Sequence, residues 1–257
     1  MDGVAFVLGL IGGSFANVCI YRLPRQESVV WPGSHCPQCQ APIQWYDNIP
    51  LLSFVLLRGR CRRCGAPISW RYPLVELLTG VLFLVSVATF GASLRAVQSM
   101  VLGTLLLIVF FVDLDHFIIP NRITYPGIVV GLVFAAVSGG GVDVRHAAVA
   151  AVTAIALGGG FILVNLLSIP LLKQEGMGMG DAKLAAMIGA FLGWPIGGVA
   201  ILLGVFIGGA LGVFLLALRI KGRREQIPFG PALAAGAITA MWWGPGLLNW
   251  YLSRLVG

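Results

Sequence analysis

Eight runs nearly free of charge, Gly3–Tyr21, Tyr72–Gly91, Ala96–Val112, Ile123–Val142, Ala147–Leu172, Ala182–Trp194, Val199–Leu218 and Ala232–Leu248, constrain this chain more than any other feature. A hydrocarbon core offers the backbone no water, so a chain crosses it as a helix of about 20 apolar residues. Eight such spans use roughly 160 positions and leave roughly 95 for connections. With 58% hydrophobic and only 11% charged residues in 257, an ordinary soluble domain is excluded. The expectation is an all-α polytopic membrane protein of about eight transmembrane helices. Only Asp2 precedes the first run, and no small-residue cleavage site separates it from Arg22. It reads as a retained span and not as a signal peptide.

The net charge of +7 becomes informative once the basic residues are placed. Eight spans put both termini on one side and let the connections alternate between faces. One face takes Arg22, Arg25, Arg58, Arg60, Arg62, Arg63, Arg71, Arg122, Lys173, Lys183, Arg219, Lys221, Arg223 and Arg224, whereas Arg95, Arg145 and Arg254 fall on the other. By the positive-inside rule the first group is cytoplasmic and both termini lie outside. Nearly every one of these side chains abuts a span, which sets a lipid bilayer against them and argues against nucleic acid as a partner.

The sizeable connection is the 49-residue segment Leu23–Arg71, which holds Cys36-Pro-Gln-Cys39 and Cys61-Arg-Arg-Cys64, 21 residues apart. Each pair offers two thiolates from one tight turn, and two such turns close a tetrahedral shell around Zn²⁺. Paired disulfides are the alternative, disfavoured on the reducing face where the charges put this loop. A closed four-cysteine shell is structural. The chain thus divides into a first transmembrane helix (1–22), a cytoplasmic zinc-binding loop domain (23–71) and a seven-helix membrane core (72–257). Cys19 lies inside the first run and reads as a small buried residue.

Ten acidic residues remain, several at span boundaries. Asp113 and Asp115 close the third run, and Asp181 opens the sixth within Glu175-Gly-Met-Gly-Met-Gly-Asp181. Ionisable groups beside hydrocarbon are costly enough to be functional by default. Capping a helix is the plain alternative for Asp181. Only 13 residues separate Asp181 from the Trp194-Pro195 break, about 20 Å of helix against about 30 Å of hydrocarbon. That short run places Asp181 below the membrane surface. Gly178 and Gly180 beside it leave room for an extended peptide, or form a hinge. Two carboxylates that share a proton have split pKa values, and one can activate water while the other protonates the scissile group. Such chemistry suits a chain with no G-x-S-x-G, no H-E-x-x-H and three scattered histidines. Residues two apart on a helix point about 200° apart, so spacing leaves open whether Asp113 or Asp115 meets Asp181.

Gly13-Ser-Phe-Ala-Asn17, Tyr21-Arg-Leu-Pro24, the two cysteine pairs, Asp47-Asn-Ile-Pro50, Arg71-Tyr-Pro-Leu-Val-Glu76, Asp113-Leu-Asp115, Ile119-Pro-Asn121, Glu175–Lys183 and Ile227-Pro-Phe-Gly-Pro231 occur in order along nearly the whole chain. In these the sequence resembles the type IV prepilin peptidases, G-x-G-D intramembrane aspartic proteases. The resemblance implies that Asp113 and Asp181 are catalytic, with Asp115 a neighbour. It implies cleavage of a basic leader from type IV prepilins and type II secretion pseudopilins at the cytoplasmic face of the inner membrane. It also implies methylation of the new N-terminal amine with S-adenosylmethionine. Asn121 stands where many relatives have Asp.

Further residues carry expectations with open alternatives. Asp115 and Glu175 could hold the basic leader or be solvated charges. Asn17 could contact substrate, or belong to a small-residue helix contact with Gly12 and Gly13. No G-x-G-x-x-G follows a strand, so a cofactor site has to come from the zinc loop and adjoining helix ends. There Gly59 could allow close approach of a ligand or serve a tight turn, and Glu76 could meet a ribose or an amine or pair with Arg71. Rival functions are a peptidase without methyl transfer, a methyltransferase alone, a transporter, and a non-catalytic assembly factor of a secretion machine. A transporter would show paired broken helices in corresponding halves, which are not detected.

Overall fold

A computed structural model describes residues 1–138, 142–172, 178–218 and 228–256. Every long element is a helix: α1 (Asp2–Arg22), α3 (Arg71–Phe90), α4 (Leu94–His116), α5 (Asn121–Val137), α6 (Val144–Leu172), α7 (Met179–Leu192), α8 (Ile196–Ala217) and α9 (Gly230–Val256), with a one-turn α2 (Leu52–Leu56) inside the loop. The eight long helices fall on the eight apolar runs. Among them α1, α3, α4, α6 and α8 are long and apolar enough to cross a membrane, while α5 has 17 residues. Their outward faces are oily, as with Val7, Leu8, Ile11 and Phe15 of α1 and Leu202, Phe206 and Val213 of α8. This is a multi-pass membrane protein.

The chain forms two compact units, Met1–Ile108 and Val109–Gly257. In the first, α1 packs on α3 through small residues. A Cβ at Gly13 would stand 2.6 Å from Glu76 Cα, and one at Gly9 would stand 2.6 Å from the Thr79 carbonyl. Helices in lipid gain no hydrophobic drive from association, so backbone proximity of this kind supplies dispersion contact instead. The Asn17 amide adds a polar tie, donating 3.0 Å to the Tyr72 carbonyl.

In the second unit α7 is the central element, touching α5, α6, α8 and α9. Leu184, Ala185, Met187, Ile188 and Ala190 are fully buried along it. Gly193, with φ +60°, ends it by donating its amide to the Gly189 carbonyl. Helices α8 and α9 approach through Gly204 and Gly236. A Cβ on Gly236 would collide with the Gly204 nitrogen and lie 2.7 Å from the Ala200 carbonyl, all backbone that cannot swing aside. Gly236→Val should therefore destabilise the protein by about 3 kcal/mol. Thermal melting in detergent checks this against Gly159→Ala, where a Cβ meets nothing within 4 Å.

Candidate active site and metal centre

The four-cysteine loop is built from two copies of one local structure. Cys36–Ile43 and Cys61–Ile68 share the pattern Cys-x-x-Cys-x-Ala-Pro-Ile. In each copy the first cysteine's amide donates to the alanine carbonyl, Cys36 to Ala41 at 2.9 Å and Cys61 to Ala66 at 2.8 Å. The residue after the second cysteine, Gln40 or Gly65, takes a left-handed conformation and donates back to the first cysteine's carbonyl. The isoleucine amide closes each knuckle on Ser34 or Gly59.

All four sulfurs lie within 4.8 Å of one another, and no disulfide joins them. Cys36 Sγ and Cys64 Sγ are 3.9 Å apart, Cys39 Sγ and Cys61 Sγ 4.0 Å. Four thiolates at about 2.3 Å from one tetrahedral ion would stand about 3.8 Å apart, close to these two distances, so the set could hold a metal ion. Amides of Cys64 and Arg63 point at the Cys61 sulfur and pull its thiol down to about 6, while the neighbouring sulfurs push the Cys64 thiol up to about 11. Asp47 and Arg62 join the two halves of the loop through a forked ion pair, with Nε at 2.8 Å and Nη2 at 2.6 Å from the carboxylate. Arg62 holds Asp47 below the usual carboxylate range.

Gly59 takes φ +66° and donates its amide to the carbonyl of Phe54 within α2, and a Cβ there would press the Phe54 ring at 3.1 Å. That places it in a tight turn. Glu76 lies on α3, 8% exposed. It accepts the Leu51 amide at 2.9 Å and the Ser14 hydroxyl. Together with Asn17 and Tyr72 it lines a cavity of about 480 Å³ between the loop, α1 and α3.

In the second unit the structure brings Asp113 and Asp181 to the beginnings of two helices. Asp113, 5% exposed near the end of α4, accepts the Gly230 amide at 2.9 Å, the first residue of α9. Asp181, half-buried at the third position of α7, accepts the Gly178 amide at 3.2 Å. Each carboxylate therefore meets the positive end of a helix dipole. Neither pairs with a cation among the described residues. Asp181 does cap its helix, but one carboxylate can do both tasks, since it has about four acceptor positions. Gly178 is exposed and Gly180 half-buried, the latter closely backed by Ile119. Asp115 is exposed on the last turn of α4. Glu175 lies outside the described residues. Lys183 donates 2.8 Å to the Asn121 side chain, which an Asp at that position would turn into an ion pair.

Gly230 was not singled out by residue chemistry. A Cβ on it would lie 2.7 Å from Asp113 Oδ2. The signal was its position between Pro228 and Pro231, in a segment whose free amide donors are few. Because the displaced neighbour is the end of a side chain, Gly230→Ala should leave the melting temperature nearly unchanged while moving the carboxylate. Misplacement of a reacting group on this scale costs about 10²-fold, so kcat for peptide cleavage should fall by that factor with KM little changed.

The Bacterial Peptidase A24 N-terminal domain matches residues 7–90, and the Type IV leader peptidase family matches residues 100–213. A prepilin leader peptidase/N-methyltransferase of Myxococcus xanthus is 41% identical over 261 residues, covering 98% of this chain and 75% of the relative. Proteins of the same name from Aeromonas salmonicida and Legionella pneumophila are 37% and 34% identical, covering 98% and 97% of this chain and 94% and 93% of theirs. No solved structure matches. Two helix-borne aspartates, a four-cysteine loop and likeness along nearly the full length converge, and the chain belongs to the type IV leader peptidase family.

Proposed function

We propose that this protein is an intramembrane aspartic endopeptidase that removes the leader from type IV prepilins and pseudopilins and then N-methylates the new N terminus. The placement of Asp113 and Asp181 at the starts of α9 and α7, without cationic partners among the described residues, carries the peptidase reading. The names of the relatives carry both activities. We place the reaction at the cytoplasmic face of the bacterial inner membrane, which the distribution of arginines and lysines supports.

The scissile segment lies extended beside Gly178, which is exposed, and Gly180, which Ile119 backs. The ionised member of the aspartate pair takes a proton from water as the oxygen attacks the carbonyl carbon. The protonated member first hydrogen-bonds the carbonyl oxygen. On collapse the C–N bond breaks and the leaving amine takes up a proton from the pair, which returns to its shared-proton state. Asp115 and Glu175 attract the basic leader, and Asn17 steadies the pairing of α1 and α3. The four cysteines hold structural Zn²⁺. S-adenosylmethionine, when bound, supplies an electrophilic methyl group to the neutral amine, which loses a proton.

The test is purified protein mixed with a synthetic precursor that carries a basic leader and an apolar helix, followed by mass spectrometry. Cleavage, plus a single methyl gained only with cofactor present, is expected. A precursor left whole would sink the peptidase reading and favour an assembly factor, and cleavage without methylation would leave a peptidase alone.

A further inference from the structure

Given the methyl-transfer activity proposed above, we propose that the cavity between the zinc loop, α1 and α3 binds S-adenosylmethionine, with the Glu76 carboxylate receiving a positively charged group of the cofactor. The starting observation is a buried carboxyl group without a cationic partner. Glu76 is 8% exposed, both its partners are neutral donors, and among the described residues no cationic side chain pairs with it. A carboxylate withdrawn from water and left uncompensated is costly, and a cationic ligand in the cavity it lines relieves that cost.

The size and lining suit the cofactor. About 480 Å³ falls within the roughly 300–1,000 Å³ of small-molecule sites. Tyr46, Phe54 and Tyr72 supply aromatic surface against which a purine can lie. S-adenosylmethionine combines such a base with two cationic centres, the sulfonium and the ammonium, and a carboxylate. Of the arginines that also line the cavity, Arg22 is held by the Ser28 and Gly33 carbonyls and Arg62 by Asp47, which leaves Glu76 for a cationic centre and Arg63 for the cofactor's carboxylate. The metal knuckles form part of its wall through Cys36 and Cys61, so the ion would act on cofactor binding by fixing the wall. Gly59 is not part of the lining and serves the turn that carries it.

Equilibrium dialysis of the zinc-loaded full chain in detergent, with S-adenosylmethionine and separately with S-adenosylhomocysteine, tests the assignment. Glu76→Gln keeps an acceptor for the Leu51 amide and removes only the charge. It should weaken binding about 10- to 100-fold, the worth of a charged hydrogen bond. A loss for both ligands assigns the ammonium to Glu76, and a loss confined to S-adenosylmethionine assigns the sulfonium. Val18→Trp, from the α1 wall, should abolish binding of both by filling the space. Zinc content and melting temperature serve as controls for folding. If both variants fold and bind like the wild type, the site is elsewhere. A wild type that cleaves precursor yet binds neither ligand overturns the methyl-transfer reading itself, and the assignment with it.

Discussion

Asp113→Asn should lower the rate of leader cleavage by about 10³-fold or more, with the protein still folded. Asparagine retains a side-chain oxygen that can accept the Gly230 amide, so the contact that seats α9 against α4 survives. What disappears is the capacity to exchange a proton with water and with the leaving amine. Asp181→Asn should do the same, because its oxygen can still accept the Gly178 amide. The double variant should be scarcely worse than either single one, since groups that act as a pair lose their joint contribution at the first substitution. Asp115→Asn, at an exposed position, should stay within a few-fold of wild type in kcat. Rates from mass spectrometry on folded, zinc-containing protein decide the matter. Additive losses, or cleavage that persists in either single variant, would mean that the two carboxylates do not share the chemistry.

The second large effect concerns the metal. Stripping the ion with a chelator, or replacing Cys61 by serine, should unfold the segment 23–71 and reduce methyl transfer by about 100-fold or more. The loop carries little apolar core of its own, with Trp45, Val55, Leu56 and Trp70 largely exposed. Two knuckles held by a handful of backbone hydrogen bonds cannot offset the ordering entropy of some fifty residues. A structural zinc site contributes about 10–16 kcal/mol in comparable small domains, enough to dominate the balance. Limited proteolysis with mass spectrometry should show new cuts within the loop after chelation, reversed by added Zn²⁺. A loop that stays protected without metal would mean that the Asp47–Arg62 pair and the packing suffice.

What could be read from the sequence follows from the range of the forces involved. Hydrophobic runs set the helices because burial of backbone polar groups in lipid is decided segment by segment, and all eight were legible. The cysteines were legible because metal ligation fixes spacing. Asp113 and Asp181 stood out because charge is rare near the runs, although the choice between Asp113 and Asp115 came from resemblance. Gly230 was not legible as a partner of Asp113, since a backbone amide leaves no mark on composition and the two lie 117 positions apart. Glu76 drew attention as a carboxylate, but its neutral partners Leu51 and Ser14 come from separate elements. The repeated knuckle was in the letters all along. Its meaning needed the paired Cys-to-Ala hydrogen bonds to be seen.

A hydrolase working at the depth of a bilayer must obtain two things that oil lacks: its second reactant and hydrogen-bonding partners for a substrate backbone that has left its helix. Helix α7 has 14 residues and is packed among neighbours of 17 to 29. It must stop short of them at one end or both. At the end that carries Asp181 it is level with α5, since Lys183 reaches the Asn121 side chain and Gly180 is backed by Ile119; irregular peptide is tolerated within a membrane only where protein or water surrounds it. Asp181 sits in the first turn of that truncated helix. The proposed chemistry therefore falls at the rim of the helix cluster, where water and unwound peptide need no passage through its centre.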